Sequence, residues 1–177
     1  PDDVMEVTHM LSGTMIMLGG KAESIEEGVA MSKEAVANGQ AFEKWLELTE
    51  HQDGDTSVLK NLASYPEAEF TFKFKAPSAG YLSGIDAYSV GMASLELGAG
   101  RKTKEDDIDP AAGIELMHKT GAKVKKGETL AVGFTNNKEL IEAAQQQLER
   151  AFSITEDAPE QAPMVTHRVD KKGIHKI

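Results

Sequence analysis

The apolar residues of this chain first change period at Tyr65-Pro66. Before that point they recur every three or four positions. After it, Phe70-Thr71-Phe72-Lys73-Phe74-Lys75 alternates strictly between large aromatic and polar side chains. A helix gathers the first pattern on one face, and a pleated strand gathers the second on one side of a sheet. A chain that carries both patterns in this order is restricted to an α+β arrangement with its helices first. The boundary is read at residue 66, giving a helical segment 1–66 and a mixed segment 67–177.

Within the first segment, Asp2 or Asp3 caps a helix whose Val4, Val7, Met10, Leu11, Met15 and Leu18 share a face, and Gly19-Gly20 ends it. Ser24-Ile25-Glu26-Glu27 has capping-box spacing, and the helix it starts closes at Asn38-Gly39. A third helix, from about Ala41 to His51, is expected to bury Phe42, Trp45, Leu46 and Leu48. Met5, Met10, Met15, Met17 and Met31 are read as core filler. A loop at Gln52-Asp53-Gly54-Asp55 and a short helix from Ser57 to Leu62 complete the segment.

Beyond the boundary a turn at Ala76 to Gly80 leads from the alternating strand into a second strand, Tyr81 to Ile85. Asp86 caps a helix running through Met92 to Leu97, stopped by Gly98 and Gly100, and Arg101 to Asp109 forms a charged loop. Strands are expected at Ala111 to Met117 and Leu130 to Phe134. Asn136 or Asn137 caps a helix reaching Arg150, with Leu140, Ile141, Ala144 and Leu148 as its core stripe. A polar connector, Glu156 to Pro163, precedes a last strand from Met164 to Val169.

Charge and composition exclude several functions. A net charge of −10 opposes a nucleic-acid backbone, and Lys171, Lys172 and Lys176 are too few to make a cationic patch. No apolar run approaches the twenty or so residues of a membrane span, and no basic-then-apolar leader opens the chain. The lack of cysteine removes disulfides, thiolate nucleophiles and cysteine zinc sites, and suits the cytoplasm. His9, His51, His118, His167 and His175 show no paired spacing, so no metal site is expected. Glu105, Asp106, Asp107 and Asp109 miss the spacing of a calcium loop, and Ser12, Ser57 and Ser94 lack the setting of a nucleophilic serine. The chain opens at Pro1, without an initiator Met, directly into a helical pattern, as a natural N-terminus or a fragment can.

More specific is the run Ser94-Leu95-Glu96-Leu97-Gly98-Ala99-Gly100-Arg101-Lys102-Thr103-Lys104-Glu105-Asp106-Asp107-Ile108-Asp109. With Ala112-Gly113-Ile114 and Gly121-Ala122-Lys123-Val124-Lys125-Lys126-Gly127-Glu128-Thr129-Leu130-Ala131, it resembles the C-terminal domain of pyrimidine-nucleoside and thymidine phosphorylases. Upstream, Leu18-Gly19-Gly20-Lys21-Ala22 matches as well, so the resemblance covers nearly the whole chain.

The resemblance implies 1–66 to be a helical part of a larger α/β domain, covering one side of a sheet absent here, so that its apolar faces are expected to be partly exposed or buried against another copy. It implies 67–177 to be an α/β-hammerhead (barrel-sandwich-like) C-terminal domain. It further implies a cytoplasmic, homodimeric enzyme that cleaves a pyrimidine nucleoside with inorganic phosphate, its co-substrate, to free base and pentose 1-phosphate. No other cofactor is implied, and neither nucleic acid nor a membrane is a partner. The family's phosphate- and base-binding residues lie upstream of the matched segment. No catalytic, substrate-binding or metal residue is therefore expected here, the missing N-terminal part is the expected partner, and the chain alone is expected to be inactive.

The chemistry of the residues agrees. A phosphate dianion is held by N–H groups at a helix start together with Lys or Arg. Gly98-Ala99-Gly100-Arg101-Lys102 follows a helix instead, and the acidic run after it repels anions. Gly98, Gly100, Arg101, Lys102 and Lys104 are read as a loop that moves when domains close, its glycines permitting unusual backbone angles and its cations opposing Glu105 to Asp109. Two other readings remain. Gly121 to Leu130 also resembles biotinyl and lipoyl carrier domains, although the exposed tip lysine between hydrophobic neighbours is lacking. A free-standing structural or regulatory subunit is the other.

Overall fold

The computed structural model describes residues 1–160 and 162–177, and the chain divides into two compact units. One unit joins residues 1–65 to residues 162–177, and the other is the span between them. Helix and sheet are mixed, which is the α+β class expected.

The first unit opens with α1 (Asp2–Leu18), α2 (Ile25–Ala37), α3 (Gln40–His51) and α4 (Ser57–Lys60), followed by a 3-10 turn at Leu62–Ser64. Helix α2 starts at its expected cap: the Ser24 hydroxyl accepts the Glu27 N–H at 3.1 Å, while the Glu27 carboxylate reaches one residue past the cap, to the Glu23 N–H at 2.7 Å. Helix α1 does not start as expected. Pro1 stands in the capping position with no side-chain cap, and Asp3 accepts its neighbour's N–H, from Val4 at 2.9 Å. Helices α1 and α2 touch backbone to backbone at Gly13 and Gly28. A Cβ on Gly28 would lie 2.2 Å from the Gly13 carbonyl oxygen. Beside this crossing, His9 Nδ1 lies 2.9 Å from Ser32 Oγ, and both side chains are buried.

The burial read for α3 and for the methionines is not found, whereas the partial exposure expected of this segment's apolar faces is. Phe42, Trp45 and Leu48 are exposed, Leu46 is half-buried, and none of the five methionines is fully buried; Met15 is 65% exposed. The reason is geometric. The face that α1 turns to α2 is built from small and polar residues (Gly13, His9), so the stripe of Val4, Leu11, Met15 and Leu18 falls on the side away from that contact.

The second unit has an apolar core of its own. It contains β1 (Phe70–Lys75), β2 (Gly80–Ile85), α5 (Ala87–Ser94), β3 (Gly113–Leu116), β4 (Lys123–Val124), β5 (Thr129–Thr135), α6 (Ile141–Ala151) and β6 (Phe152–Thr155). The strands form two antiparallel sheets of order β1-β5-β3 and β4-β2-β6. Alternation in β1 is obeyed: Phe70, Phe72 and Phe74 point inward while Thr71, Lys73 and Lys75 are exposed. Phe72 lies across Gly133, whose missing side chain makes room for the ring, since a Cβ there would stand 2.1 Å from it.

Leu82, Leu130 and Val124 are buried between the sheets, and Leu97 and Leu148 are buried where α5 meets α6. Phe74 and Phe152, stacked 5.5 Å apart, join these two clusters. The helix stripe expected of α6 holds, with Ala144 and Leu148 buried and Leu140 and Ile141 half-buried. Asp86 caps α5 through the Ser89 N–H at 2.9 Å. Of the two asparagines, Asn137 is the cap; it accepts the Glu139 N–H at 3.0 Å in a 3-10 turn, Lys138–Leu140, that feeds α6.

Strands β4 and β6 are too short to show a pattern in the sequence. The last strand lies later than expected: β7 (His167–Asp170) pairs with β8 (Gly173–Lys176), and this hairpin belongs to the first unit. Of the polar connector at 156–163, Gln161 lies outside the described residues.

Candidate functional site

Helix α5 runs into a π turn, Leu95–Ala99, and the charged loop begins there. Gly98 adopts φ +98°, a left-handed conformation that disfavours any other residue. Its carbonyl accepts the Asp109 N–H at 2.9 Å, so the loop's two ends meet. Gly100 departs from expectation: its φ of −154° is ordinary extended backbone. What Gly100 provides is space, because a Cβ would stand 2.8 Å from Leu95 Cδ1.

The loop is braced internally. The Asp106 carboxylate accepts the N–H groups of Lys102 and Thr103, each at 2.9 Å, and the Thr103 hydroxyl at 2.8 Å. The N–H and hydroxyl of Thr103, followed by the N–H of Lys102, hold this carboxyl below the ordinary aspartate range. The Lys102 ammonium turns back to the Glu96 carboxylate on the π turn rather than toward the acidic arm of the loop. Arg101 and Lys104 are exposed and have neither ion-pair nor hydrogen-bond partner among the described residues. Ile108, 49% exposed, is the apolar residue of an otherwise charged surface. Thus Gly98, Gly100, Lys102, Arg101 and Lys104 lie on one closed loop, with the first three engaged in its construction and the last two presented to solvent.

Outside the loop, the turn at Lys123 to Glu128 carries Lys125 and Lys126, both exposed, and is closed by the Lys125 N–H on Glu128 Oε2 at 2.8 Å. His118 Nε2 lies 3.2 Å from Glu128 Oε1. No group of three His, Cys, Asp or Glu among the described residues could hold a metal ion, and no helix among them is long and apolar enough to cross a membrane. Sequence reasoning missed the bracing of the loop by Asp106 and by Asp109. The local signal for the first was present: an Asp three residues after a Thr is spaced to receive that Thr's N–H and hydroxyl.

The fold around this loop has counterparts. Residues 81–155, within the second unit, match the family described as the pyrimidine nucleoside phosphorylase C-terminal domain. Over all 177 residues the chain is 36% identical to proteins named Pyrimidine-nucleoside phosphorylase from Staphylococcus aureus strain USA300 and strain NCTC 8325 / PS 47. It spans 38% of the length of these relatives. Over its whole length the chain is similar to the C-terminal part of pyrimidine-nucleoside phosphorylases.

Proposed function

We propose that this chain is the C-terminal portion of a cytoplasmic, homodimeric enzyme that cleaves pyrimidine nucleosides with inorganic phosphate. In that reaction a phosphate oxygen bonds to the anomeric carbon of the pentose as the bond to the base nitrogen breaks. The bond's electron pair leaves with the base, which then takes up a proton. Phosphate is the co-substrate and no further cofactor is required. The observation that carries the reading is the alignment of every residue of this chain with the C-terminal 38% of relatives bearing that name. On this reading the second unit is the family's α/β-hammerhead domain. The groups that hold phosphate and base belong to the N-terminal portion, and the stripe of Val4, Leu11, Met15 and Leu18 is the seat for it.

The Gly98–Asp109 loop is then the chain's contribution to catalysis. Closing a cleft around phosphate and nucleoside excludes the water that would otherwise compete as nucleophile. Arg101 and Lys104, already presented and unpaired, supply the charge for docking across it. An exposed ion pair is worth about 0–1 kcal/mol, so each contact biases closure without locking it.

The experiment is an assay of base release from uridine or thymidine with phosphate, run on the 177-residue chain and on a polypeptide that also carries the N-terminal portion. The expected result is release only from the longer protein, with Arg101→Ala lowering its turnover at unchanged melting temperature. Base release by the short chain, abolished by mutating that chain, would overturn the reading. A fall in melting temperature with turnover per folded molecule intact would remove the closure role.

A further inference from the structure

The loop is anchored through one carboxylate. Asp109 Oδ1 accepts the Asn136 Nδ2–H and the Ala111 N–H, each at 3.0 Å, while Oδ2 accepts the Asn136 backbone N–H at 3.1 Å. Asp109 also closes the loop's neck through its own N–H on the Gly98 carbonyl. Asn136, at the end of β5, uses the other half of its amide: Oδ1 accepts the Glu69 N–H at 2.9 Å, immediately before β1. Next to this, the buried Thr135 hydroxyl donates to the Leu97 carbonyl at 2.8 Å. One hydrogen-bonded path therefore runs from the loop neck through Asp109 and Asn136 to the residue that opens β1.

We infer that Asp109 and Asn136 are positioning residues: they fix the height at which the loop presents Arg101 and Lys104, and they tie that setting to the entry of β1. The residue types are those the geometry demands. Three donors converge on side chain 109, and only a carboxylate accepts from all of them; an asparagine there would turn an N–H toward a donor. Hydrogen bonds to a charged acceptor are about twice as strong as neutral ones. Asn136 has its amide oxygen on Glu69 and its amide nitrogen on Asp109, so rotating the side chain breaks both bonds together. A loop held in this way has little freedom left to lose when its cations dock.

The value of this placement to catalysis rests on the closure reading above, but the coupling itself is measured without substrate. Amide hydrogen exchange is followed in the 177-residue chain carrying Asp109→Asn, with the paired strands β2 and β6 as the check on folding. The Asn136 and Ala111 amides lose their acceptor directly. The informative amides are Asp109, bonded to Gly98, and Glu69, which does not touch side chain 109. Both are expected to exchange faster by about tenfold or more. Faster exchange confined to Asn136 and Ala111 would overturn the inference. Should Asp109→Asn fail to fold, Asn136→Ala provides the comparison, read at the Asp109 and Ala111 amides, neither of which touches side chain 136. The closure reading fails separately, on the turnover of Arg101→Ala.

Discussion

Gly13 and Gly28 decide how close α1 and α2 can come. A Cβ on Gly13 would stand 2.5 Å from the Val29 backbone nitrogen, and neither atom belongs to a flexible side chain that could swing aside. Gly91, within α5, is the useful contrast: nothing lies within 4 Å of a Cβ placed there, and its helical setting suits alanine. Gly13→Ala and Gly28→Ala are expected to destabilise the first unit by about 1–3 kcal/mol, as overpacking does. Gly91→Ala is expected to stabilise the second unit by roughly 0.5–1 kcal/mol. Denaturant titration of each variant, followed by the Trp45 signal for the first unit and by amide exchange for the second, measures both; equal effects at all three positions would contradict the packing argument. The glycine symbols in the sequence carried none of this distinction. Gly98 was legible because it ended a helical pattern, whereas Gly13 and Gly28 lie inside helical patterns, where only the neighbouring helix gives them meaning.

Helices and strands were legible wherever burial imposed a period on enough residues. Strand β1 alternates over its full length because one face is covered, and α6 repeats Ala144 and Leu148 because α5 lies against it. Strands β4 and β6, of two and four residues, are shorter than a pattern needs, and β8 has a single half-buried residue, Ile174's neighbour His175. Helix α1 shows the converse: its period is clear, yet the period does not say which face will find a partner. This yields a comparison between two leucines. Leu148 is fully buried and Leu11 is 60% exposed. Leu148→Ala is expected to cost about 2–5 kcal/mol, through lost transfer energy and a cavity. Leu11→Ala in the 177-residue chain should stay within about 0.5 kcal/mol of the parent. Comparable losses at the two positions, measured by denaturant unfolding, would show that the stripe on α1 is already covered.

Across the molecule, every fully buried apolar side chain among the described residues lies between Ala76 and Ala151, inside the second unit. A core of that kind supports folding without help, while helices that bury no large apolar side chain depend on packing from elsewhere. Residues 66–161 expressed alone should therefore melt cooperatively, and residues 1–65 should not; calorimetry of the two pieces checks this, and the reverse result would mean that stability resides in the helices. The closed neck at Gly98 and Asp109 has another consequence, for how such a domain can vary. Since the segment leaves and re-enters the fold across one hydrogen bond, the sheets are indifferent to what is strung between those two residues. Doubling the length of a flexible loop adds only about 0.6 kcal/mol of closure entropy. Insertions, deletions or a wholly foreign sequence between 99 and 108 can thus be exchanged like a cartridge, changing what the domain presents to its surroundings while the scaffold beneath stays the same.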